Sequence, residues 1–128
     1  MPIIMKVFHP DRLVVGIGRG DVTAQEYAKF LGDIIQGGIL HYRKIIDVTA
    51  ASSSTIGREQ LLAFDANFRS YSKERRGPLA IVADPYRHEI ADAFKATTSA
   101  DRPVEIFRSI HEARKWLASH PVGGSDPA

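Results

Sequence analysis

The chain has 128 residues, of which 44% are hydrophobic and 25% are charged, the composition of one ordinary globular domain and not of a disordered or fibrous chain. Lysine and arginine exceed aspartate and glutamate by 17 − 15 = 2, so the net charge indicates no particular partner. The sequence contains no cysteine, which excludes disulfides, thiolate metal sites and cysteine nucleophiles.

The chain opens with two short runs of β-favouring residues, 3–8 and 13–17. A turn-type segment separates them, so the two runs predict an antiparallel hairpin. Thr23 and Glu26 then have the spacing of a capping box, in which their side chains satisfy free amides at the start of a helix. The apolar residues that follow have helical spacing and predict one buried helix face before Gly37: Tyr27, Phe30, Leu31, Ile34 and Ile35.

Two apolar runs in the middle of the chain, 44–48 and 79–83, are typical of strands that are covered on both faces. A helical segment at about 57–72 lies between them, and its length suits a crossover between parallel strands. These runs therefore predict two central, parallel strands.

The last part of the chain predicts a helix, a strand and another helix. Asp84 and Pro85 have the pattern of a helix cap and a first helical residue. Residues 104–107 predict the last strand, and Ser109 with Glu112 predicts a second capping box that opens the last helix.

The predicted order is thus β-β-α-β-α-β-α-β-α, an α/β domain with a mixed, mostly parallel sheet of about five strands and four helices. The first strand is expected at one side of the sheet, antiparallel to its neighbour. We expect one domain over residues 1–120 and a flexible tail over 121–128, which are rich in glycine, proline and serine.

Three glycines, at 16, 18 and 20, alternate and would share one face of an extended strand. Their spacing is not that of a dinucleotide-binding turn. We interpret the bare face as a place where a helix packs closely, and a ligand that approaches it is the alternative.

Several stretches together resemble the STAS and SpoIIAA-like superfamily over roughly residues 3–118. The stretches are 14–20 with Val22 and Thr23, 42–47, 79–83, and 106–109 with the later pairs Glu112-Ala113 and Trp116-Leu117. The resemblance implies a SpoIIAA-like β-α superhelix. Because superfamily members include anti-sigma-factor antagonists, it also implies a regulatory protein without catalysis. Other relatives are compared with SEC14-type lipid-binding domains, which implies an apolar or lipid-like ligand.

In antagonist-type members of the superfamily, a serine after the aspartate-bearing strand is a phosphorylation switch. The equivalent region here follows Asp47 and is expected to be a loop that contains Ser52, Ser53, Ser54 and Thr55. No Asp-Ser-Ser-Gly-Leu run follows the strand, so the resemblance does not select one hydroxyl. The alternative is a polar loop with a spare helix cap.

Polar side chains also follow the carboxyl ends of the predicted parallel strands, where ligands bind in open α/β sheets. These acceptors and guanidinium donors would suit a polar or anionic headgroup. The candidate cleft residues are Asp47, the segment from Ser52 to Thr55, Asp84, Tyr86, Arg87 and Arg108, joined by Arg19 or Asp21 beyond the second strand. The alternative is that Asp84 is only a helix cap and the other charges are solvated.

Motifs for other functions are absent from the sequence. The five histidines have no paired metal-ligand spacing, and neither a nucleophile elbow nor a phosphate-binding loop occurs. We therefore expect no metal and no cofactor. The basic cluster 73–76 fits a helix end that precedes Gly77 and Pro78, so no nucleic-acid partner is expected. No leader pattern and no run near the ~18 apolar residues of a membrane span occur, which predicts a cytoplasmic protein.

The leading hypothesis is a non-catalytic binding module that contacts a protein partner and is switched by phosphorylation in the serine region. Its rival is a carrier or sensor of a small apolar or lipid-like molecule. A hydrolase assembled from scattered side chains is a minor alternative. A homodimer is also expected if the helices gather on one face of the sheet and leave apolar area on the other.

Overall fold

The computed structural model describes residues 3–54, 77–84, 92, 95 and 103–120. They contain β1 (Ile3–Phe8), β2 (Leu13–Val22), α1 (Ala24–Gln36), β3 (Arg43–Ser54), β4 (Leu79–Val82), β5 (Val104–Phe107) and α2 (Ile110–Ala118). The strands form one sheet in the order β1-β2-β3-β4-β5. β1 is antiparallel to β2, and the other neighbours are parallel. The predicted α/β architecture with a mixed five-stranded sheet is confirmed.

The described residues contain two of the four predicted helices. The helix expected at 57–72 and the tail at 121–128 lie outside the described residues. Of the helix expected after Asp84, Asp92 and Lys95 are described, and both are helical. No helix in the described ranges has the length and apolar character that a membrane crossing needs.

Both described helices begin at the cap residues that the sequence predicts, Thr23 and Ser109. At α1, the backbone N–H of Glu26 donates to Thr23 Oγ1 at 3.3 Å, and the threonine hydroxyl donates to Glu26 Oε1 at 2.8 Å. At α2, the N–H of Glu112 donates to Ser109 Oγ at 3.2 Å. The two bonds from the N–H groups of Glu26 and Glu112 satisfy amides that have no partner inside the helix, which fixes where each helix starts.

The strands alternate their side chains between two covered faces. On one face, α1 packs Phe30 and Ile34 against buried residues such as Val14, while Tyr27 lies in one buried cluster with Leu79 and Ile81. On the other face, α2 packs Ala113 and Leu117 against the strands. The strand residues under α2 are Leu13, Val15, Ile45, Ala80 and Val82. The prediction that the central strands are covered on both faces is confirmed, and the two described helices lie on opposite faces.

Gly16 shows why one glycine of the alternating set is needed. A Cβ at Gly16 would lie 2.8 Å from Cζ of Phe30, whose ring packs over β2. The close approach of a helix, which was our interpretation of the bare face, is confirmed at this position. Glycine is favoured at position 20 for a different reason, because the φ of 63° there is a backbone conformation that other residues rarely adopt.

Gly16→Ala is expected to lower the free energy of unfolding by about 1 to 3 kcal/mol, because the added methyl group overpacks the buried Phe30 ring. Urea unfolding measures the loss. In a Phe30→Leu background the same change should cost less than half as much, because leucine leaves the methyl group room. An equal cost in both backgrounds would show that the ring is not what excludes a side chain.

The amino ends of the parallel strands are held together by two cations that the sequence did not identify as structural. Arg43 donates from Nη2 to Asp11 O at 2.6 Å and from Nη1 to Leu117 O at 3.2 Å. Lys44 is 3% exposed, and its Nζ donates to the carbonyl oxygens of Leu40 and Tyr42. These bonds tie the β1–β2 turn, the end of α2 and the segment before β3 to one edge of the sheet.

Candidate functional site

A row of four residues marks the carboxyl end of the parallel strands. The register aligns Ile17 with Asp47, Asp47 with Val82, and Val82 with Phe107 across β2, β3, β4 and β5. β4 and β5 end at this row. The residues just beyond it therefore lie at the edge where ligands bind in open α/β sheets.

Asp47 is the polar member of the row and is half-buried. Its Oδ1 accepts the backbone N–H of Thr49 at 2.9 Å and the hydroxyl of Thr49 at 2.7 Å. Such a turn is typical of an aspartate two residues before its donor, and it holds the Asp47 carboxylate against the backbone of its own strand, β3. The role of Thr49 was not among the predictions from the sequence, although the Asp-x-Thr spacing is a signal for it.

Two further predicted residues follow the shorter strands at the same edge. Asp84 lies two residues beyond β4, and the exposed Arg108 lies one residue beyond β5. Asp47 and Phe107 are two strands apart, which is roughly 10 Å. The edge thus spreads two carboxylates and a guanidinium over three strands. Tyr86 and Arg87 lie outside the described residues.

The N-terminus of α2, with its free backbone amides, also lies at this edge, because α2 begins directly after Arg108 and Ser109. Ser109 caps the helix and uses one of those amides. The combination of a helix N-terminus with a nearby guanidinium favours negative charge on a partner.

The two longest strands continue past the row as a two-stranded parallel ribbon, formed by residues 19–22 of β2 and 50–54 of β3. The register joins Arg19 to Ala50, Gly20 to Ala51, Asp21 to Ser53 and Val22 to Ser54. Arg19 and Asp21 are exposed on this ribbon. Arg19 therefore stands beyond the row, about two residues or roughly 7 Å further out than Asp47.

The expectation of a loop at Ser52, Ser53 and Ser54 is wrong, since β3 runs through Ser54. The physical reason is that β2 also runs long and offers a parallel partner for this part of the chain. Ser52 is the extra residue of a bulge, because the register passes from Ala51 directly to Ser53. Thr55 lies outside the described residues.

The electrostatics near the row include one resolved pKa shift. The carboxyl of Glu105 in β5 has its pKa held below the usual value, chiefly because it accepts a hydrogen bond from Lys95 Nζ at 2.8 Å, while burial opposes the shift. A lowered pKa stabilises the folded protein above the ordinary glutamate range, and this contribution is lost as the pH falls through the folded-state pKa. Both side chains are more than a third exposed, so the contribution is small.

Among the residues with described positions, no three histidine, aspartate or glutamate side chains are grouped so that they could hold a metal ion.

Comparisons with known proteins identify the fold. The chain is similar to the crystal structure of an uncharacterized protein of family DUF3478 with a SpoIIAA-like fold from Shewanella loihica, with a TM-score of 0.59, 15% identity and coverage of 90% of this chain and 91% of that one. It is also similar to the anti-sigma factor antagonist SpoIIAA in its unphosphorylated form, with a TM-score of 0.57, 12% identity and coverage of 91% and 97%. No family model and no curated protein matches the sequence. The chain has the SpoIIAA-like fold, as the sequence resemblance implied.

Proposed function

We propose that this chain is a non-catalytic regulatory module of the cytoplasm that contacts a protein partner through the ribbon and the adjoining carboxyl edge. The observation that carries the proposal is the length of β3, which continues seven residues beyond Asp47 although β4 ends level with Asp47. This extension pairs with β2, whereas the register with β4 ends at Asp47. A projecting, hydroxyl-rich ribbon next to a helix N-terminus provides a surface for recognition.

The solved SpoIIAA structure supports the same class of function, since that protein is an anti-sigma factor antagonist described in an unphosphorylated form. Here the serines that could accept phosphate lie in the ribbon. A phosphate adds about −1.5 to −2 charge at neutral pH, which changes an interaction surface far more than a hydroxyl does.

The register separates the three serines in their expected response to phosphate. Ser53 is paired with Asp21, so a phosphate there brings like charges together across the ribbon. Ser52 is the bulge residue and has no residue directly opposite in β2. We therefore propose Ser52 as the position where a phosphate changes partner binding with the least damage to the ribbon, and Ser53 as the position where it also disrupts the strand pair.

The ligand-carrier alternative draws no support from the aromatic residues that are described. Phe30 is 5% exposed and fills the core between α1 and β2, and Trp116 packs on Phe107 at a ring-centroid distance of 5.5 Å. Phe64, Phe68 and Phe94 lie outside the described residues. The rings of Phe30 and Trp116 are thus used for packing.

The experiment compares what wild-type and variant proteins capture in quantitative pull-downs from the host. Ser52→Asp is expected to reduce the recovered partner about tenfold or more, because a charge buried in an interface without a counter-charge costs well over 1.4 kcal/mol. Ser52→Ala should retain the partner. Gln36→Glu is the matched control, since it adds one negative charge on the exposed end of α1 at the opposite edge of the sheet.

Equal recovery by all variants would contradict the proposal. If Arg108→Ala then released a bound small molecule, the carrier function would replace it.

A further inference from the structure

β1 presents an exposed surface that the candidate site does not use. It lies at the edge of the sheet and pairs only with β2 among the described strands. Ile3, Met5 and Val7 pack towards α1 on the inward face. On the other face, Ile4 and Phe8 are 38% and 37% exposed, and they are the large hydrophobic residues that stay exposed in the described part of the chain.

Lys6 lies between these two residues on the same face and is also exposed. Within the described part of the chain, its side chain forms neither a hydrogen bond nor an ion pair. We call Ile4, Lys6 and Phe8 the β1 strip. Their neighbours across the hairpin are all apolar: Ile17, Val15 and Leu13. The strip therefore offers apolar contact at both ends and one unneutralised positive charge in its centre.

We propose that the β1 strip binds an extended segment of another protein, which adds a strand to the open edge of the sheet. An edge strand provides a row of backbone groups for such pairing, and side chains at alternate positions give it specificity. The segment that fits carries an acidic residue opposite Lys6 and apolar residues two positions to either side. This surface is separate from the ribbon, so the inference goes beyond the proposed function.

The charge of the strip argues against two other occupants. If β1 paired with β1 of a second copy so that Ile4 met Phe8, the two Lys6 side chains would lie directly opposite each other, and like charges opposite are destabilising. The register one step away places Lys6 opposite Ile4 and leaves both charges unneutralised. Binding to an anionic membrane surface is favoured by clusters of about four to eight basic residues, whereas the strip has one.

Two synthetic heptapeptides test the proposal. Both have threonine at positions one, three, five and seven and valine at positions two and six, and they differ only in glutamate or lysine at position four. Amide shifts in NMR titrations of the whole chain should change along residues 3–8, and the glutamate peptide should bind about fivefold more tightly than the lysine peptide.

Charge reversal on the protein gives the second arm of the experiment. Lys6→Glu should reverse the preference between the peptides, and its exposed position leaves the fold intact. Lys115→Glu is the matched control, since Lys115 is exposed on α2 and should leave the preference unchanged. An Ile4→Thr, Phe8→Thr variant should weaken both peptides and keep their order.

Shifts away from β1, or equal affinity for the two peptides, would overturn the proposal. A wild-type dimer in sedimentation that the peptide dissociates would assign the strip to a second copy. Binding to phosphatidylserine vesicles that Lys6→Glu abolishes, without peptide binding, would assign it to a membrane surface. Each of these results leaves the ribbon variants and the proposed function untouched.

Discussion

Gly77→Ala is expected to lower the free energy of unfolding by about 3 to 5 kcal/mol or to prevent folding. A Cβ at Gly77 would overlap the carbonyl oxygens of His41 and Tyr42 and would lie 2.6 Å from the carbonyl carbon of Tyr42. These are backbone atoms, which cannot rotate away as a side chain can.

The surroundings of Gly77 cannot shift easily either. Its N–H donates to Leu40 O at 3.1 Å, and Lys44 Nζ donates to the carbonyl oxygens of Leu40 and Tyr42. Moving the segment before β3 would therefore break the bonds of a buried cation, which leaves an uncompensated charge.

Gly32→Ala is the matched control for this prediction, because a Cβ at Gly32 in α1 meets no atom within 4 Å. That substitution should raise stability by about 0.5 to 1 kcal/mol, since alanine favours the helix. Urea unfolding followed by the fluorescence of Trp116, the one tryptophan in the sequence, measures both variants. Similar midpoints for the two would show that the segments around Gly77 and Tyr42 do not approach as described.

Ile81→Ala is expected to cost about 2 to 5 kcal/mol, the usual range for emptying a core position. Ile81 is 3% exposed, lies in β4 between β3 and β5, and packs in the cluster of Tyr27 and Leu79. The cavity would open in the centre of the sheet, where strands on both sides restrict collapse.

The comparison variant is Ile4→Ala, which removes the same atoms from a side chain that is 38% exposed and should cost less than about 1 kcal/mol. A loss below 1 kcal/mol at Ile81 would mean that β4 is peripheral, in contradiction to the strand order.

The parts of the fold that could be predicted are those governed by local rules. β5 was predicted with its observed bounds, and the helix caps form at Thr23 and Ser109 as predicted. The isoleucines at 45, 81 and 106 lie in three adjacent parallel strands, as the order of strands and capped helices implied. Helix caps and the alternation of side chains along a strand depend on residues that are close in sequence, so both can be predicted from the sequence.

The parts that were missed depend on contacts between distant residues. Serine and alanine have weak strand propensity, and residues 50–54 join the sheet only because residues 19–22 lie beside them. Gly77 was interpreted as the end of a helix, whereas its position also requires a close approach to Tyr42. Arg43 donates to a carbonyl as distant in sequence as that of Leu117, which no local pattern indicates.

The candidate site was predicted in part. Asp84 and Arg108 were placed correctly because the predicted ends of β4 and β5 lie within one residue of the observed ends, whereas the predicted ends of β2 and β3 fall five and six residues short. The sequence could not show that Asp47 is held by Thr49, nor that Ser52 is a bulge residue, because both follow from backbone geometry. The different roles proposed for Ser52 and Ser53 therefore depend on the register between β2 and β3, which the sequence does not show.

Native mass spectrometry of the protein purified from its own host tests the central claim, that this chain works by binding a protein partner, most directly. The account predicts a complex of the chain with a second protein, without a retained small molecule, and loss of that complex in the Ser52→Asp variant. A chain that instead carries an apolar small molecule, with no second protein and no response to Ser52→Asp, would contradict the account.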